Sequence, residues 1–378
     1  MAAMEKNNKT LNVPNLRFPE FCGEWEKYSL GEVGSTIIGL TYSPSDVVKD
    51  GGTIVLRSSN IQDGEIDYKD LVFVNKKIKD TLYTRPNDLL VCARNGSARL
   101  IGKNALIAET DSGHTFGAFM MIYRSEDNQF IHQLLSTKRY YTQVGENLGA
   151  RINQITTSDM NSFEFYFPKS KSEKDKIAHL LGLINLRIST QKKVIEKYES
   201  LIRGLCEKLT RQGYANKSIN ECLECHSSTL QESEVLDTGR YPVYGAIGVC
   251  GYTDTPDVSG DGILIIKDGA SVGVTYFADG CYSSIGTLNR LTAKQGINLR
   301  YVYYCLKVMN FAPYKTGLAI PHIYFKDYGK HKIWCPSFEQ QSRIADALTS
   351  IDNKMHVEKS LLEHLNSQKR YVLKQLFI

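Results

Sequence analysis

Residues 177–210 read IAHLLGLINLRISTQKKVIEKYESLIRGLCEKLT, and residues 344–377 read IADALTSIDNKMHVEKSLLEHLNSQKRYVLKQLF. Laid over one another at an offset of 167, the two share nine of 34 positions, among them Ile177/Ile344, Leu181/Leu348, Ile184/Ile351 and Arg203/Arg370. Within each, apolar residues recur in a 4-3 series. The first series runs Leu181, Ile184, Ile188, Gln191, Ile195, Tyr198, Ile202, Leu205, Leu209. The second runs Leu348, Ile351, Met355, Glu358, Leu362, Leu365, Lys369, Val372, Leu376. A 3.5-residue apolar spacing held over four heptads is a coiled-coil seam. Neither stretch contains proline, and each follows one closely, Pro168 or Pro336. An apolar stripe of this length needs a partner, and the nearest one is the other copy. Two such helices are each about 50 Å long. Gln191 and Glu358 fall on the same heptad position. Either they fix the register of the pair, or the seam opens to solvent there.

The similarity continues upstream. Gly149, Ile152, Ile155, Asp159 and Pro168 align with Gly317, Ile320, Ile323, Asp327 and Pro336. Further up, Asp88 and Arg94-Asn95-Gly96 fall opposite Asp261 and Lys267-Asp268-Gly269. The chain therefore reads as one plan used twice. The expected division is a module at 1–168, a helix at 169–212, a second module at 213–336 and a second helix at 337–378. Each module reads as short strands broken by Gly, Asn and Asp turns, with some helix. Residues 88–93 and 262–266 are strands leading into Asn-Gly or Asp-Gly, where tight turns with positive φ are expected. Residues 129–135 and 301–306 are helices in equivalent places. The regular strand–helix alternation of a doubly wound sheet is missing, so the fold class is α+β.

Composition narrows the function. The 378 residues suit two or three domains, 42% are hydrophobic, and 46 Lys and Arg against 41 Asp and Glu leave a net charge of +5. That excess permits nucleic-acid binding without requiring it. No apolar run is long enough to span a bilayer. The polar opening MAAMEKNNKT lacks the apolar core of a secretory signal, and nine scattered cysteines suit reduced thiols, so a cytoplasmic location is expected. Twenty-two tyrosines could meet nucleic acid, but most are expected to fill half-buried sheet faces.

Several short stretches carry a family likeness. Residues 13–21, VPNLRFPEF, are followed by Gly23-Glu24-Trp25 and Leu30-Gly31-Glu32-Val33. Residues 57–65 read RSSNIQDGE, residues 241–252 read YPVYGAIGVCGY, and residues 263–271 read ILIIKDGAS. Phe338-Glu339-Gln340-Gln341 precedes Ile344-Ala345. In this order and duplicated, they make a chain that resembles the specificity subunit of Type I restriction–modification systems over essentially its whole length. One departure is Ile247, where the family often has Asn.

The resemblance implies two target-recognition domains, each reading half of a split, asymmetric sequence in double-stranded DNA. The two helices would pack antiparallel as a spacer and dock two copies of the methyltransferase subunit. S-adenosylmethionine, ATP and Mg²⁺ would belong to partner subunits, and this chain would hold no cofactor or metal. A restriction subunit, a motor nuclease, can join that core. No catalysis and no membrane contact are implied for the chain itself.

Base edges are read by Arg, Asn and Gln, and phosphates by Arg, Lys, Ser, Thr and backbone N–H groups. In the first module the candidates are Arg57, Asn60, Arg94, Asn95, Ser97, Arg99, Arg151, Asn153 and Gln154. In the second they are Tyr244, Lys267, Ser271, Lys315 and His322. The bland alternative makes the Asn-Gly and Asp-Gly pairs simple turns with solvated neighbours.

Rival chemistries fail on spacing. Cys222-Leu223-Glu224-Cys225-His226 matches a haem-attachment pattern and offers three zinc ligands, but no second CxxC completes a zinc set. Gly96 to Lys103 has one residue too many for a P-loop. Gly245, Gly248 and Gly251 lack the strand–helix setting of a dinucleotide site. The remaining alternatives are a self-contained nuclease or methyltransferase with an unrecognised site, and a coiled-coil scaffold without DNA binding.

Overall fold

The computed structural model describes residues 12–148, 153–317 and 319–378. The chain forms two compact units, one running to Thr190 and including Leu362–Ile378, the other covering Gln191–Leu361.

In the first unit an antiparallel sheet orders its strands Ser35–Ile38, Met120–Arg124, Leu89–Cys92, Asn104–Leu106. Leu89–Cys92 is wholly buried, and its side chains divide by the two-residue period of a strand. Leu89 and Val91, with Met121 and Tyr123 beside them, enter a core shared with Phe130, Phe165, Ile177 and Leu181. Leu90 and Cys92, with Met120 and Ile122, enter a second core with Leu56, Ile61 and Phe116. A second four-stranded sheet includes Thr53–Leu56 paired in parallel with Thr115–Phe116.

The second unit repeats this arrangement. Its antiparallel sheet orders Leu223–Ser227, Leu288–Ala293, Gly262–Ile266, Thr275–Ala278. Ile263 and Ile265 face one core and Leu264 and Ile266 another. Tyr241–Gly245 pairs in parallel with Cys281–Ser284. Small details recur as well. Ser29 opens a helical turn and its N–H donates to Glu32 at 2.6 Å; Ser218 does the same with Glu221 at 2.7 Å. Both are capping boxes, in which a side chain takes up an N–H left over at a helix start. The chain is thus α+β with a duplicated topology.

Two long helices complete the units, Lys171–Thr210 and Phe338–Leu376. In the first unit Ile177 and Leu181, near the start of one helix, share a core with Leu373 and Leu376, at the end of the other. In the second unit Ile202 and Cys206 share a core with Ile344, Ala345 and Leu348, so there too the end of one helix meets the start of the other. The pairing within each unit is antiparallel. Along the seam Ile188, Ile195 and Leu365 are buried; Ile184, Tyr198, Leu205, Ile351, Met355, Leu362 and Val372 are partly buried. At the polar step in the second unit the seam is closed. Gln191 is 8% exposed and its amide donates to the Glu358 carbonyl at 3.0 Å and to the Glu358 carboxylate at 2.5 Å.

The opening segment of the first unit is tied down by one buried charge. Glu173, 1% exposed, accepts from Arg17 Nε and Nη2, both at 2.8 Å, and from Trp25 Nε1 at 3.2 Å. Arg17 also donates to the carbonyls of Gly23 and Cys22. The Trp25 of the opening motif is therefore a core anchor.

One titration follows from this packing. His132, on the helix Asn128–Leu134, has its pKa lowered to about 4, first by burial and then by the charge of Lys369. A histidine depressed in the folded state stabilises the fold above its unfolded pKa of about 6.5 and loses that contribution as pH falls towards 4. The first unit should lose thermal stability between pH 6.5 and 4, and His132→Gln should flatten that slope. An unchanged slope in melting temperature against pH would reject the assignment.

Candidate nucleic-acid interface

The candidate residues of the first unit converge from three segments. Ile155 N–H donates to Ala93 O at 2.9 Å and Asn95 N–H donates to Asn153 O at 3.3 Å, so the two chain segments cross as a short antiparallel bridge centred on Arg94 and Gln154. Asn153 Nδ2 donates to Gly96 O at 2.9 Å. Asn95 Nδ2 donates to Ser58 Oγ at 2.9 Å, which brings in the segment around Arg57. Arg94 and Arg99 are exposed and make no ion pair among the described residues. Ser97 and Gln154 are half-buried beside them. Arg151 lies outside the described residues.

Two expectations need correction here. Asn60 is fully buried, and it is spent on the chain itself: its amide donates to the carbonyls of Asp67 and Asp70, and its Oδ1 accepts from Arg57 N–H. It shapes the loop and cannot reach a base. Arg57 is half-committed, with Nη2 on Asp70 at 2.7 Å. The Asn95-Gly96 pair is also no positive-φ hairpin turn, since neither residue takes positive φ. Asn95 Oδ1 instead accepts from Ser97 N–H at 3.0 Å and closes the bend through its side chain. Gly269 does take positive φ, at 100°.

The second unit builds the same crossing. Ile323 N–H donates to Lys267 O and Gly269 N–H to Pro321 O, both at 2.9 Å, around a bridge between Asp268 and His322. These bonds fix the equivalence, and it differs by one residue from the sequence alignment. Ala93 corresponds to Lys267, and Arg94 to Asp268. Strand register agrees: Cys92 pairs with Met120 where Ile266 pairs with Leu288. The expected match of Arg94 with Lys267, and of Asp88 with Asp261, is a one-residue slip. The slip matters because alternate residues face opposite ways. Where the first unit presents an arginine, the second holds a carboxylate.

That carboxylate sets the local chemistry. Asp268 Oδ1 lies 2.7 Å from His322 Nδ1, which orients the ring. Thr316 and His322 exchange backbone bonds at 2.9 and 2.8 Å. Lys315 and Ser271 are exposed, and Lys267 is half-buried. Tyr244 stands apart from this crossing, in the sheet, edge-on to Tyr282 at 5.7 Å. Its place corresponds to Leu56, and burial raises its pKa.

The cysteine–histidine stretch is structural. Cys222 is buried in the core, and His226 Nε2 is bonded to Thr292 Oγ1 at 2.9 Å. Among the described residues no cluster of His, Cys, Asp and Glu could hold a metal ion. No helix among them is long and apolar enough to cross a membrane. One prominent side chain escaped the sequence reading: Phe119, 58% exposed beside Arg94. Ile247, the departure from the family pattern, is 86% exposed between two paired strands.

The fold is thus one two-sheet unit used twice, each completed by parts of two long helices, and comparison with known proteins finds the same plan elsewhere. Residues 212–367 match the model for the Type I restriction modification DNA specificity domain. The EcoKI specificity subunit of Escherichia coli K12 is 26% identical over 187 residues, 47% of this chain and 40% of that protein. A putative type I specificity subunit of Mycoplasma genitalium is 25% identical over 259 residues, 61% of this chain and 65% of that protein. The matched segments thus span less than two thirds of these relatives' own lengths. In fold, the crystal structure of a Type I S subunit from M. genitalium superposes with a TM-score of 0.65 at 20% identity, covering 97% of this chain and 99% of the other. Residues 212–367 thus carry the DNA specificity domain of Type I restriction modification systems, and the chain is similar in sequence and fold to Type I specificity subunits.

Proposed function

We propose that this chain is the DNA-reading subunit of a Type I restriction–modification complex and recognises an asymmetric, two-part site. The observation that carries this reading is the crossed loop pair, built by the same hydrogen bonds in both units but dressed differently. Arg94, Asn95, Asn153 and Gln154 stand in one, Lys267, Asp268 and His322 in the other. Equal scaffolds with unequal side chains are what two unlike half-sites require. The recognition modules are 1–168 and 213–336, and the helices between and after them form the spacer and dock two copies of the methyltransferase subunit. The chain holds no cofactor and performs no catalysis. S-adenosylmethionine, Mg²⁺ and ATP serve its partners, which can include a restriction subunit, and the complex works in the cytoplasm.

Methylome sequencing of a host carrying this chain with its methyltransferase should return a split, asymmetric adenine-methylation motif. A continuous or palindromic motif would contradict the two-headed reading. The isolated chain mixed with S-adenosylmethionine and DNA should transfer no methyl group; transfer would favour the self-contained enzyme.

The exposed cations give a separate test. Arg94→Ala with Arg99→Ala should lower the slope of log affinity against log salt by about two, one for each lost phosphate contact. A slope equal to the parent complex would remove this loop from the backbone contacts.

A further inference from the structure

We propose that Phe119, with Arg94 lying over it, is a thymine-methyl contact of the first unit and therefore determines specificity; this rests on the DNA-reading function proposed above. Phe119 is 58% exposed, a large apolar surface left in water at the edge of the crossed loops. It is also rigidly held. Its carbonyl accepts from both Ala93 N–H and Arg94 N–H at 3.0 Å. The turn that carries it is closed by Met120 N–H on Gly117 O at 2.8 Å, and Met120 itself is buried at the start of a strand. The ring cannot retreat into the core, because its neighbour fills that side. The Arg94 guanidinium sits 5.1 Å from the ring centroid and makes no ion pair among the described residues.

The fold does not need this pair. In the second unit the same backbone position, marked by Lys267 N–H on Thr287 O at 3.0 Å, is a threonine, and Arg94 is replaced by Asp268. An exposed aromatic under a free cation, absent from the matching place in the repeat, is a feature of the surface and not of the core.

Its occupant follows from chemistry. Arg94, Arg99 and Lys103 lie on one loop segment and make it suitable for a polyanion. One face of the ring is covered by the guanidinium, so the ring cannot slide flat between two base pairs. What remains is the free face and the edge. Among the groups that base pairs show in the grooves, the thymine 5-methyl is the apolar one, and Phe is a suitable contact for it. Arg94 can at the same time meet the adjoining phosphate.

The test uses the complex of this chain with its methyltransferase and a duplex carrying the motif found by methylome sequencing. Thymines of each half-site are replaced in turn by uracil, which lacks only the methyl. The parent complex should lose about threefold to fivefold in affinity for the thymine concerned, the worth of one buried methyl group. Phe119→Ala should lose a similar factor on thymine DNA and bind thymine and uracil duplexes equally, and Phe119→Leu should keep part of the discrimination. Arg94→Gln should weaken both duplexes and preserve their ratio. All variants should melt with the parent, since the ring is outside the core. A parent complex that binds both duplexes equally, or a Phe119→Ala variant that keeps the parent ratio, overturns the proposal. An equal loss on both duplexes would make the ring a wedge and overturn the methyl contact too. A complex that selects no duplex at all overturns the DNA-reading function itself, and this inference with it.

Discussion

Arg17→Ala should destabilise the first unit by about 3–5 kcal/mol, the usual cost of removing one partner from a buried ion pair. The reason is Glu173. Its carboxylate is 1% exposed and takes two charge-assisted bonds from the arginine fork, with the Trp25 indole as the third donor. Without Arg17 the charge remains, with one neutral side-chain donor in place of three. The loss extends to the chain path, because Arg17 also holds the carbonyls of Gly23 and Cys22 and so pins the entry segment against the helix that begins at Lys171. The chain offers a convenient reporter. It has two tryptophans, Trp25 in the first unit and Trp334 in the second. In a Trp334→Phe background, denaturant unfolding followed by fluorescence reads Trp25 alone. Arg17→Ala should shift that midpoint strongly, and adding Glu173→Gln should recover part of the loss, since the charge is then gone and an amide oxygen can still accept from Trp25. A midpoint unmoved by Arg17→Ala would show that Glu173 is solvated and that the knot does not hold the segment.

Such knots explain what the sequence could and could not convey. The long helices were legible because a 4-3 apolar series is a local pattern, and the central strands because runs such as Leu89–Cys92 and Gly262–Ile266 are apolar at every position. The likeness to Type I specificity subunits was legible from short motifs in a fixed order. The site was not. Asn60 resembles a base reader in isolation, and only the carbonyls of Asp67 and Asp70 reveal that it is consumed internally. Arg94 and Lys267 look equivalent because Asn-Gly and Asp-Gly look equivalent, yet the backbone bonds of Ile155 and Ile323 move the match by one residue. Phe119 would be assigned to the core by its type; its exposure comes from a turn and from Met120 occupying the inward direction. The bonds of Ile155 and Ile323 join distant segments, and the Asn60 and Phe119 cases turn on how a short loop folds; apolar periodicity records neither.

The same distinction bears on Gln191 and Glu358. Replacing both with leucine should stabilise the second unit by about 1–2 kcal/mol, the low end of the gain seen when a buried ion pair gives way to packed apolar side chains, because Glu358 is only half-buried and the pair carries one charge. Gln191 is 8% exposed, with buried Ile195 and partly buried Met355 flanking the step in the second unit, so leucines would meet apolar neighbours. If the pair set the register, the double variant would also let the helices slip by a heptad, about 10 Å of axial travel. The methylated motif would then show more than one spacing. The packing argues against slippage. Ile202 and Cys206 from one helix and Ile344, Ala345 and Leu348 from the other are built into a single core with the sheet of the second unit. The ion pair of Lys359 with Glu199, 2.7 Å apart, joins the same two helices. A heptad slip would have to withdraw all of these at once, which costs several kcal/mol for each large side chain removed from a core. The expected result is therefore a more stable chain that methylates one motif with one spacing. A second spacing in the methylome would show instead that the glutamine and the glutamate hold the register and that the cores at the helix ends do not.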